Sequence, residues 1–556
     1  MTRLRFWLFI LILLFLYYMF STDNPRLSTP YGEVEGFYYS SKNGNKTQVF
    51  LGVPFAQAEN FERPSAYPSW SGIRQAKDFP KGCVPVHLSL GTDVSEDCLY
   101  LNIIKPVEDP DDPLGYPVLV FIHGGGFVGG SSGKYGYKSF SDHFASEKIL
   151  VISVQYRVGF LGFSSTGDGN LPGNLGLWDL AFSLRFIKDL LPKLDGDPDR
   201  ITVFGHSAGS AAAHALSTSP HTNGLFAQVI QSSASLFAEW AFNEQVVDNS
   251  WDFAEALGCQ KSMSRYEVRN ILKTKSVPEM LEAVEKTSIY KPNMRQFIFN
   301  PRLDGDFFPE PLEVLMEKAP KKPVLFGMTE VEWSKIVNTP YDFYNSIGVK
   351  DDVKSNFDDK AFIDYIDEYI LEKSNTSETM KLRNALIGFF VTSDPQINLR
   401  NLVDIVSDLM FVVPTIQQIQ LKNKIGDKSF LFYEKHSRKP VYGEIPIVPG
   451  APHGNELFYI FDNERNGFDW DQEDFEFQKH IIEGIRNFVK SGKPSSGSVN
   501  WPNVGGGTRH VVLNPTPKIE EVFEGKRMNF WIDQLPNMVD IDFLRKTRLP
   551  FAQKRH

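Results

Sequence analysis

An α/β fold is what this sequence predicts: a large, mostly parallel central sheet flanked by helices, with a small antiparallel edge at the N-terminal end. Two observations carry the prediction. Six apolar, β-branched runs recur along the chain as continuous rather than alternating stretches, the pattern of strands buried on both faces. Between them lie helical or irregular segments, some with apolar residues at intervals of three and four, which is the spacing of helices that cover a sheet.

The opening from Arg26 to Tyr39 (RLSTPYGEVEGFYY) reads as short strands broken at Pro30 and Gly32, and supplies the antiparallel edge. The strong strands follow at Pro117 to His123 (PVLVFIH), Ile149 to Gln155 (ILVISVQ), Ile201 to Gly205 (ITVFG), Phe226 to Gln231 (FAQVIQ), Pro323 to Gly327 (PVLFG) and Ser429 to Tyr433 (SFLFY). One helix is expected from Leu177 to Leu191, directly before the third run, and another from Asp474 to Val489. Clusters such as Asp109 to Gly115 and Ser491 to Gly497 read as loops rather than interdomain tethers, because strand-like or core-like segments resume at once. No internal repeat or low-complexity tract interrupts the order.

With 556 residues, 42% of them hydrophobic and 23% charged, the chain is neither disordered, collagen-like nor a small disulfide scaffold. The formal net charge of -10 leaves no basic surplus for phosphate backbones, which argues against nucleic acid as a partner. The three cysteines, Cys83, Cys98 and Cys259, lack the paired short spacing of a zinc site, though the first two could close one small loop. Arg3 and Arg5 precede the apolar run from Phe6 to Phe20, an entry signal for the secretory route. The run is shorter than the roughly 17 to 25 residues of a membrane span and no Ala-x-Ala site follows, so residues 1–22 fit either a cleaved signal peptide or a retained anchor. A secreted or membrane-anchored product with a lumenal or extracellular body is the corresponding expectation. That route permits a Cys83–Cys98 disulfide and makes the sequons at Asn45 and Asn375 usable glycosylation acceptors if exposed.

The chemistry is concentrated in two glycine-rich motifs. Gly205-His206-Ser207-Ala208-Gly209 follows the strand ITVF and precedes the helix-permissive SAAAHAL. A bare Gly-x-Ser-x-Gly occurs by chance roughly 0.2 times in such a chain, so the pattern alone is weak and its strand-to-helix context is what matters. A serine in a sharp turn needs small neighbours, which Gly205 and Gly209 provide, and the helix start puts free N–H groups beside its hydroxyl. A glycine-rich turn with an incidental serine is the bland alternative. The second motif, His123-Gly124-Gly125-Gly126-Phe127, ends the first strong strand and can aim backbone N–H groups at an oxyanion. A phosphate-binding turn is the rival reading, but the Lys-Ser/Thr spacing and the dinucleotide fingerprint are missing.

Nearly end to end, the sequence resembles the type-B carboxylesterase/cholinesterase family of α/β-hydrolases. The likeness rests on Glu96 to Ile103 (EDCLYLNI), Tyr156 to Phe163 (YRVGFLGF), Gly173 to Asp179 (GNLGLWD), Gly196 to Ser210 (GDPDRITVFGHSAGS) and His453 to Phe461 (HGNELFYIF). It implies one large α/β-hydrolase domain over 24–545, followed by a basic tail at 546–556. It also implies that Ser207 is the nucleophile, that the amides of Gly125, Gly126 and Ala208 form the oxyanion hole, that Glu332 is the acid and that His453 is the base. The implied activity is hydrolysis of a small-molecule carboxylic ester through an acyl-enzyme, with no cofactor and no metal.

The residues alone reach the same trio with rivals attached. A serine esterase needs a base for the hydroxyl proton and an acid to orient that base, and the order Ser207, Glu332, His453 fits this fold. Glu330, two residues away, would point the same way as Glu332 in an extended segment. His453, in a loop between Pro452 and Gly454, suits an imidazole that must project better than His214 or His206 does. Two departures from the family bear on substrate. His206 stands where most members carry glutamate, replacing a buried anion with a neutral or cationic ring. The segment from Cys83 to Cys98 has no tryptophan, so the choline-stacking platform of cholinesterases is missing and a non-cholinergic carboxylesterase is expected. Ile271 stands near the expected partner of Cys259, which is therefore expected to be buried and free. A non-catalytic, neuroligin-like adhesion protein is the alternative of another class, and it would be expected to carry a degraded nucleophile, base or oxyanion loop. Oligomeric state is not encoded in any recognisable way.

Overall fold

Among the described residues, eleven strands hydrogen-bond into one mixed sheet. The computed structural model describes residues 24–540 apart from 89–90, 92, 288–297, 340–346, 438–445 and 462–469. The expected signal or anchor at 1–22 and the basic tail at 546–556 lie outside the described residues. In chain order the strands are β1 Phe37–Ser40, β2 Lys46–Pro54, β3 Tyr100–Pro106, β4 Tyr116–Ile122, β5 Leu150–Val154 and β6 Gly196–His206. They continue with β7 Gln228–Ser232, β8 Val324–Thr329, β9 Ser429–Glu434, β10 His510–Leu513 and β11 Lys518–Glu520. Their spatial order is β11-β10-β9-β8-β7-β6-β4-β5-β3-β2-β1. Neighbours from β5 through β10 run parallel, and both flanks are antiparallel.

The continuous apolar runs are explained by the two cores they separate. In β4, Val118, Val120 and Ile122 face one core while Leu119 and Phe121 face the other, and every residue of the strand is buried. The same alternation holds for Val203 and Phe204 in β6, and for Phe326 and Leu325 in β8. A strand with apolar partners on both sides has no polar face to alternate, so its sequence shows no period of two.

Six helices matter to the site: α1 Leu175–Leu194, α2 Ala208–Thr218, α3 Pro395–Ser407, α4 Val413–Lys424, α5 Asn455–Ile460 and α6 Gln472–Ser491. The first and last contain the two expected helices and extend them by two or three residues at each end. Asp471 caps α6 by accepting from the Glu473 and Asp474 N–H groups, and Gly492, at φ 70°, ends it. The stretch Pro395–Lys424 is apolar and long enough to cross a membrane, yet 94% of its most apolar window is buried inside the fold, so it serves as a core helix.

The N-terminal edge is more divided than the sequence suggests. Arg26–Ser28 pairs antiparallel with Glu33–Glu35, but Ile73–Gln75 joins them in parallel to make a separate three-stranded sheet. Only β1 reaches the edge of the main sheet. The chain changes sheets at Gly36, where a Cβ would stand 2.1 Å from the Val49 carbonyl oxygen. The strands β2 and β3 follow inward from β1, and the apolar runs do not anticipate them because their buried residues are mixed with polar ones. Asn102 of β3, for example, is buried and donates to Ser132 and Ser153.

Cys83 and Cys98 form a disulfide with Cα atoms 5.1 Å apart, and Cys259 is free and buried. Asn375 is exposed, whereas Asn45 is half-buried with its side-chain amide donating to the Ser146 carbonyl.

Candidate active site

Ser207 sits between β6 and α2 at φ 56°, ψ -125°, a conformation that non-glycine residues rarely adopt. Its neighbours make the turn sterically feasible. A Cβ on Gly205 would lie 1.9 Å from the Gly209 carbonyl oxygen, and one on Gly209 would lie 2.2 Å from that of Ile122. The turn is also held from below, since the Ser207 N–H donates to the Ser232 carbonyl at 2.8 Å. Strand, strained serine and helix therefore lock together at the C-terminal ends of β4, β6 and β7.

The hydroxyl so presented meets His453. Ser207 Oγ lies 2.9 Å from His453 Nε2, and His453 Nδ1 lies 2.7 Å from Glu332 Oε2. These three residues, far apart in sequence, form one hydrogen-bonded chain. Glu332 follows β8 in a turn that is stitched to the His453 loop. The Val331 N–H donates to the Ala451 carbonyl at 2.9 Å, and the His453 N–H to the Glu332 carbonyl at 3.2 Å. Because β8 ends at Thr329, Glu330 and Glu332 diverge: Glu330 Oε1 stands 3.7 Å from Arg400, well removed from the imidazole chain. His214 and His206 also lie elsewhere than on the serine hydroxyl; His214 approaches Met316 and Leu236.

Burial disfavours charge on both ends of the relay. It pulls the His453 imidazole down to about 3, with Lys335 adding to the effect, and pushes the Glu332 carboxyl up to about 7. Against that push, Glu332 Oε1 accepts from the Ser233 hydroxyl at 2.8 Å and the Thr329 N–H at 2.9 Å. A neutral imidazole that donates from Nδ1 to Glu332 leaves Nε2 free to receive a proton from Ser207.

The glycine loop after β4 stands against this serine. Gly125 and Gly126 have φ 122° and 63°, and a Cβ on Gly124 would lie 2.9 Å from that of Ser207. The Gly125 carbonyl is taken up by the N–H groups of Val128 and Gly129. Ala208 opens α2, where the first N–H groups have no carbonyl one turn back to bond. The loop is braced by His123, whose carbonyl accepts from the Tyr156 hydroxyl at 3.0 Å.

The sequence profile of the carboxylesterase family matches residues 23–531. The chain belongs to the carboxylesterase family. Its α/β-hydrolase fold and ester-hydrolysing enzyme class go with that membership. It is 32% identical to gut esterase 1 of Caenorhabditis briggsae over 86% of either chain. It is 28% identical to the medium-chain fatty acyl-CoA hydrolase precursor of Anas platyrhynchos over 94% of either chain. It is also 26% identical to neuroligin-3 of Mus musculus, over 93% of this chain and 70% of that one.

Beyond the expected residues the structure adds partners that no local pattern announced. Ser233, itself at φ 57°, and Thr329 hold Glu332 from the side opposite His453. Around the imidazole stand Phe411, with ring centroids 4.8 Å apart, His206 at 4.9 Å and Trp333 at 5.6 Å. Phe411 packs on Trp240, and Trp240 on Phe127 of the glycine loop, so aromatic rings run from that loop to His453.

Proposed function

We propose that this carboxylesterase-family enzyme hydrolyses carboxylic esters through an acyl-enzyme on Ser207. The observation that carries the reading is the chain Ser207 Oγ, His453 Nε2, His453 Nδ1, Glu332 Oε2, with steps of 2.9 and 2.7 Å outside the imidazole ring. His453 takes the Ser207 proton as the oxygen attacks the ester carbonyl, and Glu332 stabilises the imidazolium that forms. The amides of Gly125, Gly126 and Ala208 stabilise the negative oxygen of the tetrahedral intermediate. His453 then protonates the leaving alcohol, and in a second round takes a proton from water to release the acid and restore the serine. The rings of Phe127, Trp240, Phe411 and Trp333 favour an apolar, uncharged acyl or alkyl group beside this chemistry.

Against a non-catalytic reading, which the likeness to a neuroligin invites, speaks the hydrogen-bonded chain of Ser207, His453 and Glu332. Entry into the secretory route, with residues 1–22 as signal or anchor, is part of the same proposal. It is supported by the basic-apolar N-terminus and by the Cys83–Cys98 disulfide, a bond suited to an oxidising compartment. The test of function is turnover of a panel of p-nitrophenyl esters by the full chain and by Ser207→Ala. Serine-dependent hydrolysis is expected, and its absence across short and long acyl groups overturns the reading.

A further inference from the structure

The turn that presents Ser207 places a second imidazole against the first. His206 is buried, its ring centroid 4.9 Å from that of His453, and its Nε2 lies 3.5 Å from Glu456 Oε1 without a hydrogen-bond partner. Glu456 Oε1 in turn accepts from the Ser232 hydroxyl. Behind Glu456 stands Glu434, which accepts from Asn455. One polar atom on each of His206, Glu434, Asn455 and Glu456 is buried and unpartnered, so a buried polar cluster adjoins His453 through His206.

Each element packed on His206 acts against its carrying charge. His453 approaches from the loop before α5, and Lys134 contributes a cation from the turn Ser132–Tyr135; both lower the basicity of His206, after burial itself. Glu456 on α5 could supply a counter-charge. Burial pushes its carboxyl up to about 7 and the neighbouring Glu434 of β9 further, because two adjacent carboxyls in a dry site resist ionising together. Glu332 and the Tyr135 hydroxyl face the same carboxyl of Glu456. Burial and neighbouring like charges thus disfavour ionisation on Glu434 and Glu456 as on His206.

We propose that His206 is a positioning residue that keeps the catalytic base working into acidic solution: its neutral ring occupies, beside His453, a place from which a carboxylate would hold His453 as imidazolium. A base flanked by an anion is trapped in its protonated form as pH falls, whereas one flanked by a neutral ring stays available. At 4.9 Å and an effective dielectric constant of about 20, one negative charge would shift proton uptake by the base upward by about two and a half pH units. The inference rests on Ser207, His453 and Glu332 acting as proposed above.

The test is kcat/KM for p-nitrophenyl acetate across about pH 2.5 to 8 with the full chain, His206→Gln, Glu456→Gln and the double variant His206→Glu with Glu456→Gln. Because Glu456 would keep a lone new carboxyl protonated, the charge is introduced as His206→Glu in a Glu456→Gln background: its acid limb is expected about two and a half pH units above that of Glu456→Gln alone, while His206→Gln, polar but uncharged, stays with the wild type. If the double variant does not fold, as judged by a missing thermal transition, His206→Asp in the same Glu456→Gln background carries the same charge in a smaller side chain and the same upward shift is expected. A carboxylate variant whose limb coincides with that of Glu456→Gln alone overturns the inference, as does a His206→Gln variant that moves it equally from the wild type. Wild-type protein without Ser207-dependent turnover overturns the hydrolase reading and this inference with it. Serine-dependent turnover with an unmoved limb overturns the inference alone.

Discussion

Replacing Glu332 with glutamine removes one charge from the relay while keeping its shape. The carboxylate lies 2.7 Å from His453 Nδ1 and its side chain is wholly buried. At an effective dielectric constant of about 20, a full charge pair at this separation is worth roughly 6 kcal/mol when His453 accepts the Ser207 proton. A glutamine carbonyl turned toward Nδ1 retains a hydrogen bond to a charged group, about 2 kcal/mol. The remaining loss of about 4 kcal/mol corresponds to a fall in kcat of about a thousandfold. The assay is steady-state hydrolysis of p-nitrophenyl acetate by wild type, Glu332→Gln and Glu330→Gln, with substrate binding followed through KM. Glu330 sits beside Arg400 rather than the imidazole, so its variant is expected within a few-fold of wild type. A loss below tenfold in Glu332→Gln, or an equal loss in Glu330→Gln, would refute the assignment of the acid.

Other consequences are equally open to measurement. Gly209→Ala would put a methyl 2.2 Å from the Ile122 carbonyl and lever α2 off β4; a stability loss of at least about 3 kcal/mol is expected in denaturant titrations. Asp179→Asn leaves Arg157 buried without the carboxylate it bonds at 2.7 and 2.8 Å. A loss of about 3–5 kcal/mol is expected in the same titrations, and a loss under 1 would count against the pair. His123 is fully buried and pulled down to about 4, so as pH falls from 6.5 toward 4 the unfolded chain gains a proton that the folded chain refuses. Stability should therefore decline over that window by up to about 3 kcal/mol from this residue, and His123→Asn should flatten the decline.

What the sequence made legible was what neighbouring residues decide. The elbow could be read because its strain, its small flanks and its strand-to-helix setting all fall within Gly205 to Gly209. The central strands could be read because burial on two faces leaves a continuous apolar run. Glu332 could not be separated from Glu330 by spacing, because which of them meets His453 depends on where β8 stops and on the bonds Val331 N–H to Ala451 and His453 N–H to Glu332 that join the two loops. Ser233 and Glu456 were out of reach for a related reason. Each acts on a residue about a hundred or more positions away, Ser233 on Glu332 and Glu456 on Ser232, and neither lies in a pattern that points there. The flank strands β2 and β3 were missed because a strand with buried asparagine or threonine lacks the apolar density of the centre.

Trapping the acyl-enzyme is the most direct examination of the central claim. The full chain would be mixed with a slowly deacylating p-nitrophenyl ester, quenched in acid within the burst, digested and mapped by mass spectrometry. A stoichiometric acyl group on Ser207, absent from Ser207→Ala and slow to form in His453→Ala, is the predicted result. A burst with the acyl group on another residue, or turnover without any adduct on Ser207, would contradict it.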